Sequence, residues 1–230
     1  MSQPTDHEVR PERTSARRRP RRRALLVGAG AGVAGLAAGI YAGSRAPEVT
    51  FPQSSYGSAG PRLLVAYDSQ FGSTAGIAQA IGQQLGTAAR VDVSPIWQVD
   101  AISDYAAMVF GAPVQTDAMK RSATDWLRER AVEINRIPHA YFMPSATFGL
   151  DPDRESQTAL KLGLMQDAAA LTGTAPLALL PMGGVVDFSK MAFFTSVVYQ
   201  LLSGSSTQGD FRDFDVLATW VDQIQAQLLP

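Results

Sequence analysis

From Arg62 onward the chain alternates short apolar runs with amphipathic helical stretches, and that alternation admits few folds. Strands covered on both faces read as continuous apolar runs, whereas the helices covering them keep a single apolar stripe. The runs predict strands at Leu63–Tyr67, Val91–Ser94, Ala107–Gly111, Ala140–Met143 and Leu177–Leu180. Ile77, Ile81 and Leu85 recur at helical spacing, as do Ala123, Trp126, Leu127, Ala131 and Ile134, and later Leu217, Trp220, Val221, Ile224 and Leu228. Each set forms one stripe directed at a sheet, so both Trp126 and Trp220 are expected in the core. The pattern predicts an α/β domain over residues 61–230, a doubly wound parallel sheet of five strands in the order 2-1-3-4-5.

Charge divides the chain. Residues 1–23 hold eight Arg against Asp6, Glu8 and Glu12, a net +5, whereas residues 61–230 carry a net −6. An acidic body excludes a nucleic-acid surface, which needs positive charge along its phosphate contacts. Ala24–Gly43 follows the basic tail with twenty uncharged residues, enough at about 1.5 Å per residue to cross a hydrocarbon core of roughly 30 Å. Six of the twenty are Gly, so this N-terminal hydrophobic helix is only weakly apolar. Consecutive arginines ahead of such a segment resemble a twin-arginine export signal around Arg22-Arg23-Ala24-Leu25-Leu26, with a retained signal anchor as the alternative. Either form keeps the arginines in the cytoplasm and sends the domain across the membrane. Residues 44–60, rich in Pro, Ser and Gly, read as a flexible linker.

The chain has no Cys, which excludes thiolate catalysis, disulfides and iron–sulfur clusters, so any electron transfer requires an organic cofactor. His7 and His139 are too few and too far apart to suggest a metal site. Gly30-Ala31-Gly32-Val33-Ala34-Gly35 matches a dinucleotide fingerprint in letters only. No strand and acidic residue follow it at the required distance.

Open parallel sheets bind ligands beyond the carboxyl ends of their strands, which directs attention to the loop after the first one. It reads Asp68-Ser69-Gln70-Phe71-Gly72-Ser73-Thr74 and runs directly into a helix. Hydroxyls, a Gly and a helix N-terminus form an anion cradle, although Ser69, Ser73 or Thr74 can equally serve as an ordinary helix cap. No Lys or Arg lies between Arg62 and Arg90, so a phosphate held there would meet neutral donors alone.

Ser69-x-x-Gly72-Ser73-Thr74 after Leu63-Leu64-Val65-Ala66-Tyr67 resembles the FMN phosphate loop of flavodoxins, with Phe71 where many members have Thr. Phe110-Gly111-Ala112-Pro113-Val114, Tyr141-Phe142-Met143-Pro144-Ser145-Ala146 and Gly209-Asp210-Phe211-Arg212-Asp213-Phe214-Asp215 continue the resemblance. The late segment is similar to the branch containing menaquinone-linked protoporphyrinogen dehydrogenases. The resemblance implies a flavodoxin-like fold with FMN as cofactor. Ser69, Gln70, Phe71, Gly72, Ser73 and Thr74 would hold the phosphate; Ala112, Pro113, Val114 and Gln115, with Ser145, Ala146, Thr147, Phe148 and Gly149, would border the ring. Phe148 is the one aromatic among them able to stack on a flavin, and Asp68, Asp117, Asp151 and Asp153 would form an acidic rim.

Met191–Leu202 is apolar on nearly every side and too short to span a bilayer, so it is expected either to bury itself or to meet a porphyrin, a quinone or a lipid surface. The resemblance therefore implies an FMN-dependent oxidoreductase working between a redox partner protein and a quinone or porphyrin-like molecule. A plain electron carrier and a flavin-free binding module on the same fold are the alternatives.

Overall fold

In a computed structural model the described residues are Phe51, 53–115, 118–145, Phe148, 154–187, with backbone alone at 154–156, and 208–229. The predicted N-terminal helix and Met191–Leu202 lie outside them. Among the described residues no helix is long and apolar enough to cross a membrane.

The chain forms β1 (Ser54–Tyr56), β2 (Arg62–Tyr67), α1 (Ser73–Leu85), β3 (Arg90–Pro95), β4 (Ala107–Gly111), the small strands β5 (Val114–Gln115) and β6 (Ala118–Met119), α2 (Arg121–Glu129) and the short α3 (Ala131–Ile134). There follow β7 (His139–Ser145), α4 (Arg154–Thr172), β8 (Leu179–Gly183), the small strands β9 (Val185–Val186) and β10 (Gly209–Asp210), and α5 (Phe214–Leu228). The main sheet has the order β1-β3-β2-β4-β7-β8. Its five parallel strands have the predicted order 2-1-3-4-5.

Successive side chains of a strand point to opposite faces, and the two cores follow that period. Leu63, Val65 and Tyr67 of β2 meet Ile77, Ile81 and Leu85 of α1 and Leu217, Trp220, Val221, Ile224 and Leu228 of α5. Leu64 and Ala66 join Phe110 and Tyr141 under Ala123, Trp126 and Leu127 of α2 and Leu164 and Ala168 of α4. Both tryptophans are buried, as their helical spacing predicts, with the Trp126 ring stacked on Phe110 at a centroid distance of 5.4 Å.

Two expectations change. The fifth strand runs over 179–183 and not 177–180. Leu177 is exposed ahead of it, and Pro181 is tolerated because β8 is an edge strand with one neighbour. The linker reading of 44–60 fails at Ser54–Tyr56, which pairs antiparallel with β3, Ser54 opposite Val93 and Tyr56 opposite Val91. Ser55 Oγ donates to Asp92 at 2.8 Å and Tyr56 Oη to Gln79 at 2.5 Å, so polar side chains fasten this strand.

Candidate functional site

The cradle begins where β2 leaves the sheet. The Asp68 amide extends the ladder by donating to the Gly111 carbonyl at 2.8 Å, after which the chain turns. Ser69 is buried, and its Oγ accepts from the Gly72 amide at 3.1 Å. Gly72 has φ +91°, a left-handed conformation that any side chain would strain, and it stands at the cap position of α1. No side chain caps this helix. The Gly76 amide makes the first helical turn's bond to the Gly72 carbonyl at 3.0 Å, and the amides of Ser73, Thr74 and Ala75 precede it. Such orphan donors, reinforced by the helix dipole, favour an anion. The serines of the loop are otherwise occupied: Ser69 braces the turn, and Ser73 Oγ accepts from the Val185 amide at 2.9 Å.

Two further loops open at the same end of the sheet. After β4, Ala112 is buried and its amide donates to the Phe142 carbonyl at 3.3 Å. Pro113 then leads into the β5–β6 hairpin, in which Val114 faces Met119 and Gln115 faces Ala118. Val114 is buried in the core beneath α2, whereas Gln115 is exposed. After β7, the Ser145 carbonyl accepts from the Gly184 amide at 3.2 Å. Phe148 is half-buried and packs against the core on the α2 and α4 side. Ala146, Thr147, Gly149, Asp117, Asp151 and Asp153 lie outside the described residues.

The loop's own sequence offers neutral donors alone, yet the fold brings two cations near it. Lys120 Nζ donates to the Asp68 carboxylate at 3.2 Å, and Ser122 Oγ donates to the other oxygen of that acid. On the opposite flank the β9–β10 pair carries Arg212 against the first turn of α1: a Cβ placed on Gly76 would lie 2.6 Å from Arg212 Nη1. Arg212 is paired with Asp210, and its hydrogen bonds hold that carboxyl below the usual carboxylate range.

An aromatic group also went unforeseen. Phe51, 8% exposed, lies 3.7 Å from a Cβ built on Gly72. Its ring is 6.1 Å from Tyr67 on one side and 6.1 Å from Trp97 on the other. Burial pushes the Tyr67 phenol up to about 12, so it is neutral at physiological pH, while Trp97 is 56% exposed. Sequence periodicity contains no sign of this group, because Phe51 lies ahead of the first strand and Trp97 sits in a single 3-10 turn, Ile96–Gln98, too short to show a period. His139 opens β7, buried, with Nδ1 3.0 Å from the Ile137 carbonyl. Among the described residues no group of acidic and imidazole side chains could hold a metal.

A parallel sheet of this order with open loops at the carboxyl ends of β2, β4 and β7 defines a doubly wound α/β architecture. The flavodoxin-domain family model matches residues 64–212, more than half of the chain, and the protein belongs to that family. Solved structures resembling it include a flavodoxin of Fusobacterium nucleatum bound to flavin mononucleotide, 10% identical, covering 73% of this chain and 99% of that one with a TM-score of 0.45. Flavodoxin 1 from Bacillus cereus is 15% identical over 63% of this chain and 99% of its own, with a TM-score of 0.40. Rubredoxin oxygen:oxidoreductase from Desulfovibrio gigas is 13% identical, with a TM-score of 0.42; the match covers 74% of this chain and 37% of that one. No curated protein matches the chain.

Proposed function

We propose that the domain binds FMN non-covalently at this end of the sheet and passes electrons between a redox partner and a quinone or other hydrophobic acceptor. The carrying observation is the start of α1, where the Ser73, Thr74 and Ala75 amides face no side-chain cap in a chain of the flavodoxin-domain family. That donor set fits a phosphate ester, and the left-handed Gly72 lets the backbone turn beneath it.

Bound there, FMN would supply one- and two-electron transfer to a chain that has no Cys and so no thiol redox chemistry of its own. Ser69 to Thr74 would hold the phosphate. Ala112 to Gln115 and Ser145 to Gly149 would border the ring, as the family resemblance implies. Phe51 packs against this turn, its ring edge 3.7 Å from a Cβ built on Gly72. A hydrophobic acceptor is supported by the apolar Met191–Leu202 segment, and membrane attachment by the arginine cluster ahead of Ala24–Gly43. Protoporphyrinogen oxidation is the finer reading of the same site.

The first test is spectroscopic. Purified full-length protein is expected to be yellow and to release FMN on denaturation in a ratio near one per chain. Colourless protein that takes up no added FMN overturns the reading. Turnover of quinone or protoporphyrinogen by the flavin-loaded protein identifies an enzyme, whereas electron exchange confined to a reductase identifies a carrier. Protease accessibility in intact cells tests the placement of the domain across the membrane, and an inward-facing domain refutes it.

A further inference from the structure

We infer that Gly184 and Val185 form a clamp that fixes the span between the phosphate loop and the loop after β7, and so act as positioning residues for a ligand that must reach both; this rests on the flavin reading above. Gly184 is the one residue between β8 and β9. Its amide donates to the Ser145 carbonyl at 3.2 Å, where β7 ends. The next amide, that of Val185, donates to Ser73 Oγ at 2.9 Å in the first turn of α1. One dipeptide therefore joins the two loops.

Chain geometry explains why two adjacent residues suffice. Successive residues of an extended chain direct their backbone groups to opposite sides, so neighbouring amides reach different partners. The place between the loops is narrow: a β-carbon built on Gly184 would lie 3.5 Å from Ser73 Oγ, 3.7 Å from Pro144 Cβ and 3.8 Å from the Ser145 carbonyl carbon. The clamp is also braced from behind. The Phe211 amide donates to the Gly184 carbonyl at 3.0 Å, Val185 pairs with Asp210, and a β-carbon on Gly183 would lie 2.1 Å from the Phe211 carbonyl oxygen. These partners lead into α5, which is seated in the core through Leu217 and Trp220. The core sets the place of the clamp, and the clamp sets the place of the loops.

Ser73 is where the clamp meets the cradle. A hydroxyl that accepts one hydrogen bond keeps its own hydrogen to donate, so Ser73 can hold the Val185 amide and a ligand oxygen together. FMN has two ends, a phosphate and a ring, joined by a ribityl chain of limited length. Once one end is held, binding of the other is intramolecular, and its gain depends on the span between the two subsites. Fixing that span strengthens FMN without strengthening either half alone.

The test uses the full-length protein and three ligands: FMN, riboflavin, which lacks the phosphate, and inorganic phosphate, which lacks the ring. Flavin binding is read by quenching of flavin fluorescence, and phosphate binding by competition with FMN. Val185→Pro removes the amide donor and leaves Ser73 in place. It is expected to raise the Kd for FMN about tenfold and to leave the affinities for riboflavin and phosphate unchanged. Val185→Ala, which keeps the amide, should recover the FMN affinity.

An unchanged Kd for FMN in Val185→Pro, or riboflavin or phosphate weakened as much as FMN, overturns the inference while leaving the flavin reading intact. Should that variant fail to fold, hydrogen exchange at the Val185 amide of the wild type decides. FMN should slow it more than riboflavin and phosphate added together, and equal slowing overturns the clamp. Wild-type protein that binds neither flavin refutes the flavin reading itself, and this inference with it.

Discussion

Lys120 Nζ lies 3.2 Å from an oxygen of Asp68, and the two residues are unequally buried, 33% exposed for the lysine side chain and 1% for the aspartate. Asp68 immediately precedes the cradle, while Lys120 is the cap residue of α2 and directly follows the β5–β6 hairpin. The acid therefore faces a helix N-terminus, an ammonium and the Ser122 hydroxyl together, which compensates the loss of its hydration. It also fastens the phosphate loop to the loop expected to border the flavin ring.

This asymmetry orders two substitutions. In Asp68→Asn the lysine loses its partner but can still reach water, so the loss of stability should be about 1–2 kcal/mol. In Lys120→Met the buried carboxylate loses its counter-charge with no water to replace it, and the cost should rise to about 3 kcal/mol. Urea unfolding of the two variants measures the difference. Equal losses would show that Asp68 is hydrated and is not bracing the loops.

A second acid controls the edge of the sheet. Burial pushes the Asp92 carboxyl up, but hydrogen bonds from Ser55, Arg62 and Tyr105 outweigh burial and hold it below its ordinary value. A depressed folded pKa means that the stabilisation is fully present above the unfolded value of about 3.9 and is lost as pH falls through the folded one. Stability from this group should therefore be constant between pH 7 and 5 and decline only below about pH 4. Asp92→Asn should cost about 1 kcal/mol at pH 7 and flatten that acid limb, since Arg62 is half-exposed and well hydrated. Hydrogen exchange at the Tyr56 amide, the last residue of β1, should quicken in the variant; an unaltered rate would detach Asp92 from the anchoring of that strand.

Packing behind the second loop is equally specific. Gly111 ends β4 directly before Ala112, and a methyl there would overlap the Phe142 ring on the neighbouring strand. Gly111→Ala should destabilise by about 2 kcal/mol through overpacking, and Phe142→Leu should return part of that loss in the double variant. Additive losses in thermal unfolding would place the strain elsewhere.

Much of the architecture was legible because parallel strands covered on both faces write continuous apolar runs; Ala107–Gly111 was read to the residue. The fifth strand shifted because Pro181 and Gly183 lower the strand signal in a segment whose edge position accommodates them. β1 was invisible for a different reason. Ser-Ser-Tyr has no apolar alternation, and its stability comes from the distant partners Asp92 and Gln79. The cradle was readable from one contiguous loop. Its cations were not, since Lys120 reaches Asp68 across 52 residues and Arg212 reaches Gly76 from the far end of the domain.

That hidden strand bears on where the working domain begins. A fragment starting at Pro61 lacks β1 and also Phe51, whose ring fills the space between Tyr67, Trp97 and Gly72. Removing a buried Phe alone costs about 3 kcal/mol, and the loss of β1 exposes the far edge of β3 as well. Phe51→Ala in the full-length chain should reproduce most of the fragment's instability. Because the ring also backs the left-handed turn at Gly72, both changes should weaken FMN binding beyond what partial unfolding explains. The measurement is flavin affinity at a temperature where each protein is fully folded by circular dichroism. A fragment beginning at Pro61 that matches the full chain in melting temperature and FMN affinity would reduce β1 and Phe51 to bystanders of the site.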